Sequence, residues 1–194
     1  MNIFTYILPT VLHSTRLLPQ LSRVLEHPLI GEVILINNSG RTLELQHDKL
    51  QQYVSTEPLY CNGSWNYGVL NASNENIILA TDDIEYDTSV FDFVSQIDLK
   101  PIGPLMYNSS NSTEHDFLDI QPITPDRYIQ LHGSGQIMFM HRDNFLKIPD
   151  EIKHWYGDAL QLHWNIANNR MPHFIIGKFV LTTNLSERDR KSVV

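Results

Sequence analysis

Cysteine, charge and long apolar runs are all scarce in this sequence. A single cysteine, Cys61, excludes an intramolecular disulfide framework and any zinc site built from several cysteines. Charged residues make up 19% of the 194 residues, and this low fraction argues against a disordered or coiled-coil chain. Because hydrophobic residues make up 42%, the chain can form a sizeable core, and its length predicts one domain.

No segment comes near the roughly 20 apolar residues that a membrane-spanning helix needs. The longest apolar runs, at residues 33–36, 137–140 and 174–176, have the length of strands. Residues 1–9 are fairly apolar but include no basic residue, so we expect no signal peptide and a cytoplasmic protein. The net charge of −8 disfavours broad binding to a nucleic-acid backbone.

Glycine-rich phosphate-binding loops are missing where two enzyme classes need them. No G-x-G-x-x-G follows the first predicted strand, which disfavours a dinucleotide-dependent oxidoreductase. Residues 8–16 contain no glycine, whereas sugar nucleotidyltransferases carry a glycine-rich loop at this point. Both classes are therefore disfavoured.

Strand-like and helix-like segments alternate through the N-terminal half. Apolar, β-prone runs predict strands at 3–8, 32–36, 59–61, 76–80 and 102–106. Helical spacing predicts helices at 17–25, 43–54, 65–72 and 90–97, with Ser64 and Asp87 as caps of the last two. Beyond a polar loop at 108–114, strands are predicted at 136–141 and 174–180, with a helix near 159–167. The alternation predicts a parallel α/β sheet, which binds ligands at the carboxyl ends of its strands.

Two adjacent carboxylates, Asp82 and Asp83, follow the predicted strand at 76–80 after a single residue, Thr81. Neighbouring carboxylates repel each other, and a hard divalent cation relieves that repulsion. A metal held there could bridge a diphosphate and neutralise its charge as it leaves. The same residues also fit an acidic turn that caps the next helix, and local sequence leaves both interpretations open.

Six short motifs, in order along the chain, resemble those of a glycosyltransferase of the GT-A fold, close to family 2. Thr81-Asp82-Asp83 falls where that family carries its Asp-x-Asp signature. The other motifs are Pro9-Thr10, Ile34-Leu35-Ile36-Asn37-Asn38-Ser39, the spaced Asn62, Trp65, Asn66, Gly68 and Asn71, Gly133-Ser134-Gly135-Gln136 before the strand at 137–142, and Trp155-Tyr156-Gly157-Asp158. Their shared order and spacing carry the resemblance.

The resemblance implies an α/β protein with a single-domain GT-A (Rossmann-like) fold, in which helices flank a mostly parallel central sheet. It assigns residues 1–185 to this domain, with 1–106 binding the nucleotide-sugar and 107–185 forming the acceptor side. Residues 186–194 are expected to be a flexible tail. Compact domains of this kind resemble enzymes of bacteria and of their phages.

The resemblance also implies the donor site. Asp83 would bind a manganese or magnesium ion and, through it, the diphosphate of a nucleotide-sugar, with UDP as the default. Asp82 would approach either the ribose or the groups that surround the metal's direct ligands. Asn37 and Asn38 would lie near the base, where the family usually carries an Asp, so the base preference stays open. The remaining residues expected to line the donor pocket are Pro9, Thr10 and Asn66.

By the same resemblance, Asp158 would be the general base of an inverting sugar transfer. Gly157-Asp158 equally suits the N-cap of the helix predicted at 159–167, and one residue can serve both roles. His173, or alternatively His163, would supply a third metal ligand.

The acceptor is open: a glycan, a protein or a hydroxymethylated pyrimidine in phage DNA. The alternative function is a catalytically inactive GT-A-like protein that binds a nucleotide or glycan, and the asparagines at 37 and 38 motivate it.

Overall fold

A sheet of eight strands with helices on both faces forms the centre of the fold. The computed structural model describes residues 3–107, 118–124, 136–154, 156–177 and 182–183. Four of its strands are parallel and lie side by side in the order β3-β2-β1-β4. The elements of this half are β1 (Phe4–Thr10), α1 (Leu17–Glu26), β2 (Ile30–Asn37), β3 (Leu50–Val54), α2 (Tyr60–Asn71) and β4 (Asn76–Ala80).

The later strands extend the sheet with three antiparallel pairings and one parallel pairing. The elements of this part of the chain are β5 (Ile84–Glu85), α3 (Val90–Val94), β6 (Leu105–Tyr107), β7 (Leu118–Pro122), β8 (Ile137–His141), α4 (Gly157–Ala167), β9 (His173–Gly177) and β10 (Thr182–Thr183). β8 lies antiparallel to β4, and β6, β9 and β7 follow in that order, with β6 parallel to β9. β5 and β10 form a separate antiparallel pair. The predicted α/β class is confirmed: the eight-stranded sheet is mostly parallel, with antiparallel pairs at β8 and β7.

The sheet lies between two layers of helices, and the alternation of side chains along its strands explains why both of its faces are covered. In β1, Tyr6 faces one hydrophobic core and Ile7 faces the other, because successive residues of a strand point to opposite sides. α1 and α3 cover the first core, and α2 and α4 cover the second. These helices bury, among others, Leu21, Phe91, Trp65 and Leu162, respectively.

Two local predictions from the sequence are wrong. The helix predicted at 43–54 is not formed, since residues 50–54 are β3, which pairs parallel with β2 from Val33↔Leu50 to Asn37↔Val54. The side chains of this edge strand are only partly buried, so no clear apolar alternation marks it in the sequence. The strand predicted at 59–61 is instead the start of α2, which begins four residues before Ser64.

Several predicted features lie outside the described residues: the loop at 108–114, the motif at 133–135, Trp155 and the tail at 186–194. The domain boundary at residue 185 therefore stays a prediction. Among the described helices, none combines the length and the apolar character that crossing a bilayer requires.

Gly68 allows α2 to lie directly on β1. A Cβ at this position would stand 2.3 Å from Ile7 Cγ2 and 3.2 Å from Ile7 Cβ. Because Ile7 is branched at Cβ, rotation of its side chain cannot remove this clash without a shift of the surrounding structure. We expect Gly68→Ala to lower the free energy of unfolding by about 1–3 kcal/mol, because overpacking outweighs the gain in helix propensity.

Gly63→Ala is the matched control for this prediction. In the same helix, its Cβ would meet Leu59 Cβ at an ordinary 3.5 Å. The variant should therefore gain up to about 1 kcal/mol from helix propensity. Urea denaturation measures both variants, and a Gly68→Ala protein as stable as wild type would contradict the close approach of α2 to Ile7.

Candidate functional site

The parallel strands β1, β2, β3 and β4 end at one edge of the sheet, here called the carboxyl edge, at Thr10, Asn37, Val54 and Ala80. Because β1 and β4 are neighbours, Thr10 meets the residues that follow β4. Thr10 Oγ1 donates a 2.7 Å hydrogen bond to Asp82 Oδ2, and the two residues are only 3% and 6% exposed. Two predicted site residues that are far apart in the sequence are thus in direct contact.

Asp83 has different surroundings from its neighbour Asp82. It is partly exposed, and within the part of the chain that the structure describes its carboxylate has no hydrogen-bond or ion-pair partner. The turn that carries it is fixed to the sheet by the Thr81 N–H, which donates to the Gln136 carbonyl at 3.1 Å. The acidic pair therefore consists of one buried, anchored carboxylate and one accessible carboxylate that can bind a cation.

A buried pair of tyrosines lies close to Asp82. Tyr86 OH donates a 3.0 Å hydrogen bond to Tyr6 OH, and both residues are buried. Burial raises the pKa of the Tyr6 hydroxyl far above its ordinary value, the bond to Tyr86 lowers it in part, and the charge of Asp82 raises it again. Tyr6 therefore stays neutral beside the carboxylate. Sequence reasoning missed this pair because apolar alternation identifies a core face without revealing hydroxyl partners.

Asn37, predicted to lie near a nucleotide base, is fully buried at the end of β2. Its side-chain amide donates to the Arg41 carbonyl and to Gln52 Oε1, and its carbonyl oxygen accepts from the Ser39 N–H. These bonds shape the turn after β2. Pro9, by contrast, is partly exposed near the end of β1.

Asn38 joins three elements at the carboxyl edge. Its backbone N–H donates to the Thr10 carbonyl at 2.8 Å, and its Nδ2 donates to Ser64 Oγ in α2 at 3.0 Å. Its Oδ1 accepts from the Leu59 N–H at 2.8 Å. Because the Asn38 side chain is partly exposed, it offers a nucleotide more surface than Asn37 does.

The N-termini of α2 and α4 meet beside this edge. Asn62, in the first turn of α2, is buried, and its Nδ2 donates to the Ile152 carbonyl at 2.9 Å. Its N–H donates to the Lys153 carbonyl at 3.1 Å. A Cβ on Gly157, the first residue of α4, would stand 2.1 Å from Asn62 Oδ1, so the two helix starts are in contact. Since α2 begins soon after β3 ends, this contact brings Asp158 towards the carboxyl edge.

Asp158 lies in the first turn of α4 and is partly exposed. Its Oδ1 accepts a 2.9 Å hydrogen bond from the Ala159 N–H within the first turn. The prediction that Asp158 is the N-cap is wrong, because α4 begins at Gly157 and the N-cap is Tyr156, which makes no side-chain cap bond. The helix dipole also favours a negative charge at this position. Tyr156, just before the helix, is 74% exposed and has a left-handed backbone with φ 67°, a conformation that is uncommon outside glycine.

Both polar atoms of the Asn66 side chain are hydrogen-bonded to the backbone of Ile148. Its Nδ2 donates to the Ile148 carbonyl at 2.8 Å, and its Oδ1 accepts from the Ile148 N–H at 2.9 Å. We expect Asn66→Ala to lower the free energy of unfolding by about 2–4 kcal/mol, because two backbone groups lose their partners. Urea denaturation checks this value, and Asn71→Ala, which removes a single exposed bond within α2, is the control. An Asn66→Ala protein as stable as wild type would contradict a stabilising role for these two hydrogen bonds.

His173, predicted as a metal ligand, is not close to the acidic pair. As the first residue of β9 it pairs with Leu105 of β6, and through β8 it lies level with Ile78 in the middle of β4. Three strand spacings of about 4.8 Å separate β9 from β4. Burial lowers the pKa of the His173 imidazole, despite an opposing backbone hydrogen bond. The described residues contain no group of three His, Cys, Asp or Glu that could hold a metal ion.

Solved structures share this fold at low sequence identity. The 1–349 portion of TarS from S. aureus, in complex with UDP, matches 89% of this chain with a TM-score of 0.63 and 15% identity. The mannosyltransferase PcManGT from Pyrobaculum calidifontis, in complex with GDP-Man and Mn²⁺, matches 90% with a TM-score of 0.61 and 12% identity. Both are GT-A-type glycosyltransferases, and the chain has the GT-A fold that the sequence motifs predict.

This chain spans 60% of the length of that TarS structure and 54% of the length of PcManGT. No protein-family model and no curated protein matches the sequence. At these identities the likeness establishes the fold.

Proposed function

We propose that the chain is a metal-dependent, inverting glycosyltransferase, which moves a hexosyl or pentosyl group from a nucleotide-sugar to an acceptor hydroxyl. The observation that carries the proposal is the acidic pair at the carboxyl edge, where Thr10 anchors Asp82 and leaves Asp83 accessible. Ligands of α/β sheets bind at the carboxyl ends of the strands, so this is where a donor would bind.

A manganese or magnesium ion fits the chemistry of the acidic pair. Such cations prefer carboxylate oxygens, and Asp83 offers them from a partly exposed side chain with no other partner among the described residues. Asp83 would hold the ion, and the buried Asp82 would support it and approach the ribose. When bound, the ion would neutralise charge on the departing diphosphate. His173 receives no part in this proposal because of its distance from Asp83.

Asp158 is the proposed general base. It would take the proton from the acceptor hydroxyl while that oxygen forms a bond to the anomeric carbon and the bond to the diphosphate breaks on the opposite face. The configuration of the sugar is inverted as a result. Support for this role comes from the contact between the starts of α2 and α4, next to the carboxyl edge.

UDP is the proposed nucleotide, with GDP as the second choice, because the TarS structure contains UDP and the PcManGT structure contains GDP-Man. The residues proposed to form the donor pocket are Pro9, Asn38 and Asp82, together with Thr10, Asn37 and Asn66, which would shape it through their hydrogen bonds within the protein. The acceptor is proposed to be a glycan, a protein or a hydroxymethylated pyrimidine in DNA. A protein that binds a nucleotide or a glycan without turnover is the second candidate, since the Asp158 carboxylate already accepts a hydrogen bond from the Ala159 N–H.

Release of nucleoside diphosphate from a panel of donors tests the proposal. The protein is incubated with UDP-glucose, UDP-galactose, UDP-N-acetylglucosamine and GDP-mannose, with Mn²⁺ and then with a chelator. We expect release from one donor class that stops when the metal is removed. Binding of a nucleotide without release or transfer for any donor would instead support the second candidate.

A further inference from the structure

The Thr10 hydroxyl donates its proton to Asp82 and accepts a hydrogen bond from the Leu12 N–H. The Leu12 N–H donates to Thr10 Oγ1 at 2.9 Å, so the oxygen accepts there, and its own proton goes to Asp82 Oδ2 at 2.7 Å. Leu12 adopts a left-handed backbone with φ 59°, which is rare for a leucine. The turn after β1 therefore orients the Thr10 hydroxyl towards Asp82.

We infer that Thr10 is a positioning residue for the donor site, which acts through Asp82 and not by touching the donor. The inference rests on the proposed function and refines the role of one residue in it. Thr10 is only 3% exposed, so a bound nucleotide has little of this side chain to contact. Asp82 and Asp83 repel each other as adjacent carboxylates, and the Thr10 hydroxyl holds Asp82 in place against that repulsion.

A double-mutant cycle tests this inference. UDP and GDP are titrated calorimetrically, each with Mn²⁺, into wild type, Thr10→Val, Thr10→Ser, Asp82→Asn and the Thr10→Val/Asp82→Asn double variant. We expect Thr10→Val to weaken the affinity roughly 10- to 100-fold, because a hydrogen bond to a charged group is lost. Thr10→Ser, which keeps the hydroxyl, should restore most of it. The double variant should bind no more weakly than Asp82→Asn alone, since both changes remove the same interaction.

Urea denaturation of each variant separates this role from a merely structural one. A Thr10→Val protein that loses stability but keeps wild-type affinity when folded would overturn the inference. So would losses that add up in the double variant, because they indicate direct contact between Thr10 and the donor. Thr10→Ala replaces Thr10→Val if the latter does not fold. If wild type binds neither nucleotide with Mn²⁺, the proposed function fails and the inference fails with it, whereas additive losses overturn the inference alone.

Discussion

Asp83→Ala is expected to abolish metal-dependent binding of nucleoside diphosphates. Asp83 is the accessible member of the acidic pair, and without it the remaining carboxylate of the pair, Asp82, is buried. Loss of a metal ligand should weaken the affinity for UDP in the presence of Mn²⁺ by at least about 100-fold, more than changes around a metal site usually do. Calorimetric titration of UDP with Mn²⁺ measures the effect.

Asp48→Ala is the matched control for Asp83→Ala. Asp48 is exposed and precedes β3, so it lies towards the opposite edge of the sheet, and its replacement removes the same charge. Its affinity for UDP should equal that of wild type. If Asp83→Ala also bound UDP like wild type, the acidic pair would be an ordinary turn and the proposed donor site would be lost.

Asp158→Asn is expected to lower the rate of sugar transfer by about 10²- to 10⁴-fold and to leave UDP affinity unchanged. Asparagine cannot take the proton from the acceptor hydroxyl, yet its side-chain oxygen can still accept the hydrogen bond from the Ala159 N–H. The free energy of unfolding should therefore fall by less than about 1 kcal/mol. Release of UDP from the active donor gives the rate, and urea denaturation gives the stability.

Asp150→Asn controls for the loss of one charge near α4, because Asp150 is exposed in the segment that precedes this helix. It should transfer sugar at the wild-type rate. An Asp158→Asn protein with full activity would exclude Asp158 as the general base, and another group would have to take that role.

The meeting of Thr10 with Asp82 could be predicted from the sequence in outline. Both residues come two positions after apolar runs with the pattern of buried strands, at 3–8 and 76–80. The carboxyl ends of parallel strands meet at one edge of the sheet. The hydrogen bond itself depends on the neighbouring positions of β1 and β4, which local sequence does not encode. Asn66 illustrates the limit, since its partner Ile148 belongs to a distant segment with no visible pattern.

The sequence patterns did not predict the direction of the strands or the pairing of the edge strand β3. β3 is a partly exposed edge strand stabilised by its ladder with β2, so helical spacing of a few apolar residues was misleading at 43–54. β8 is fully buried, and a continuous apolar run fits parallel and antiparallel neighbours equally. The position of His173 follows from these pairings, which explains why its distance from Asp83 could not be foreseen.

Calorimetric titration of the wild-type protein with UDP and GDP, first with Mn²⁺ and then with chelator, tests the central claim most directly. The claim is that the carboxyl edge binds a nucleoside diphosphate together with a divalent cation. The account predicts saturable binding of at least one of the two nucleotides that disappears when the metal is removed. Absence of binding under both conditions, or binding that chelator leaves unchanged, would contradict it.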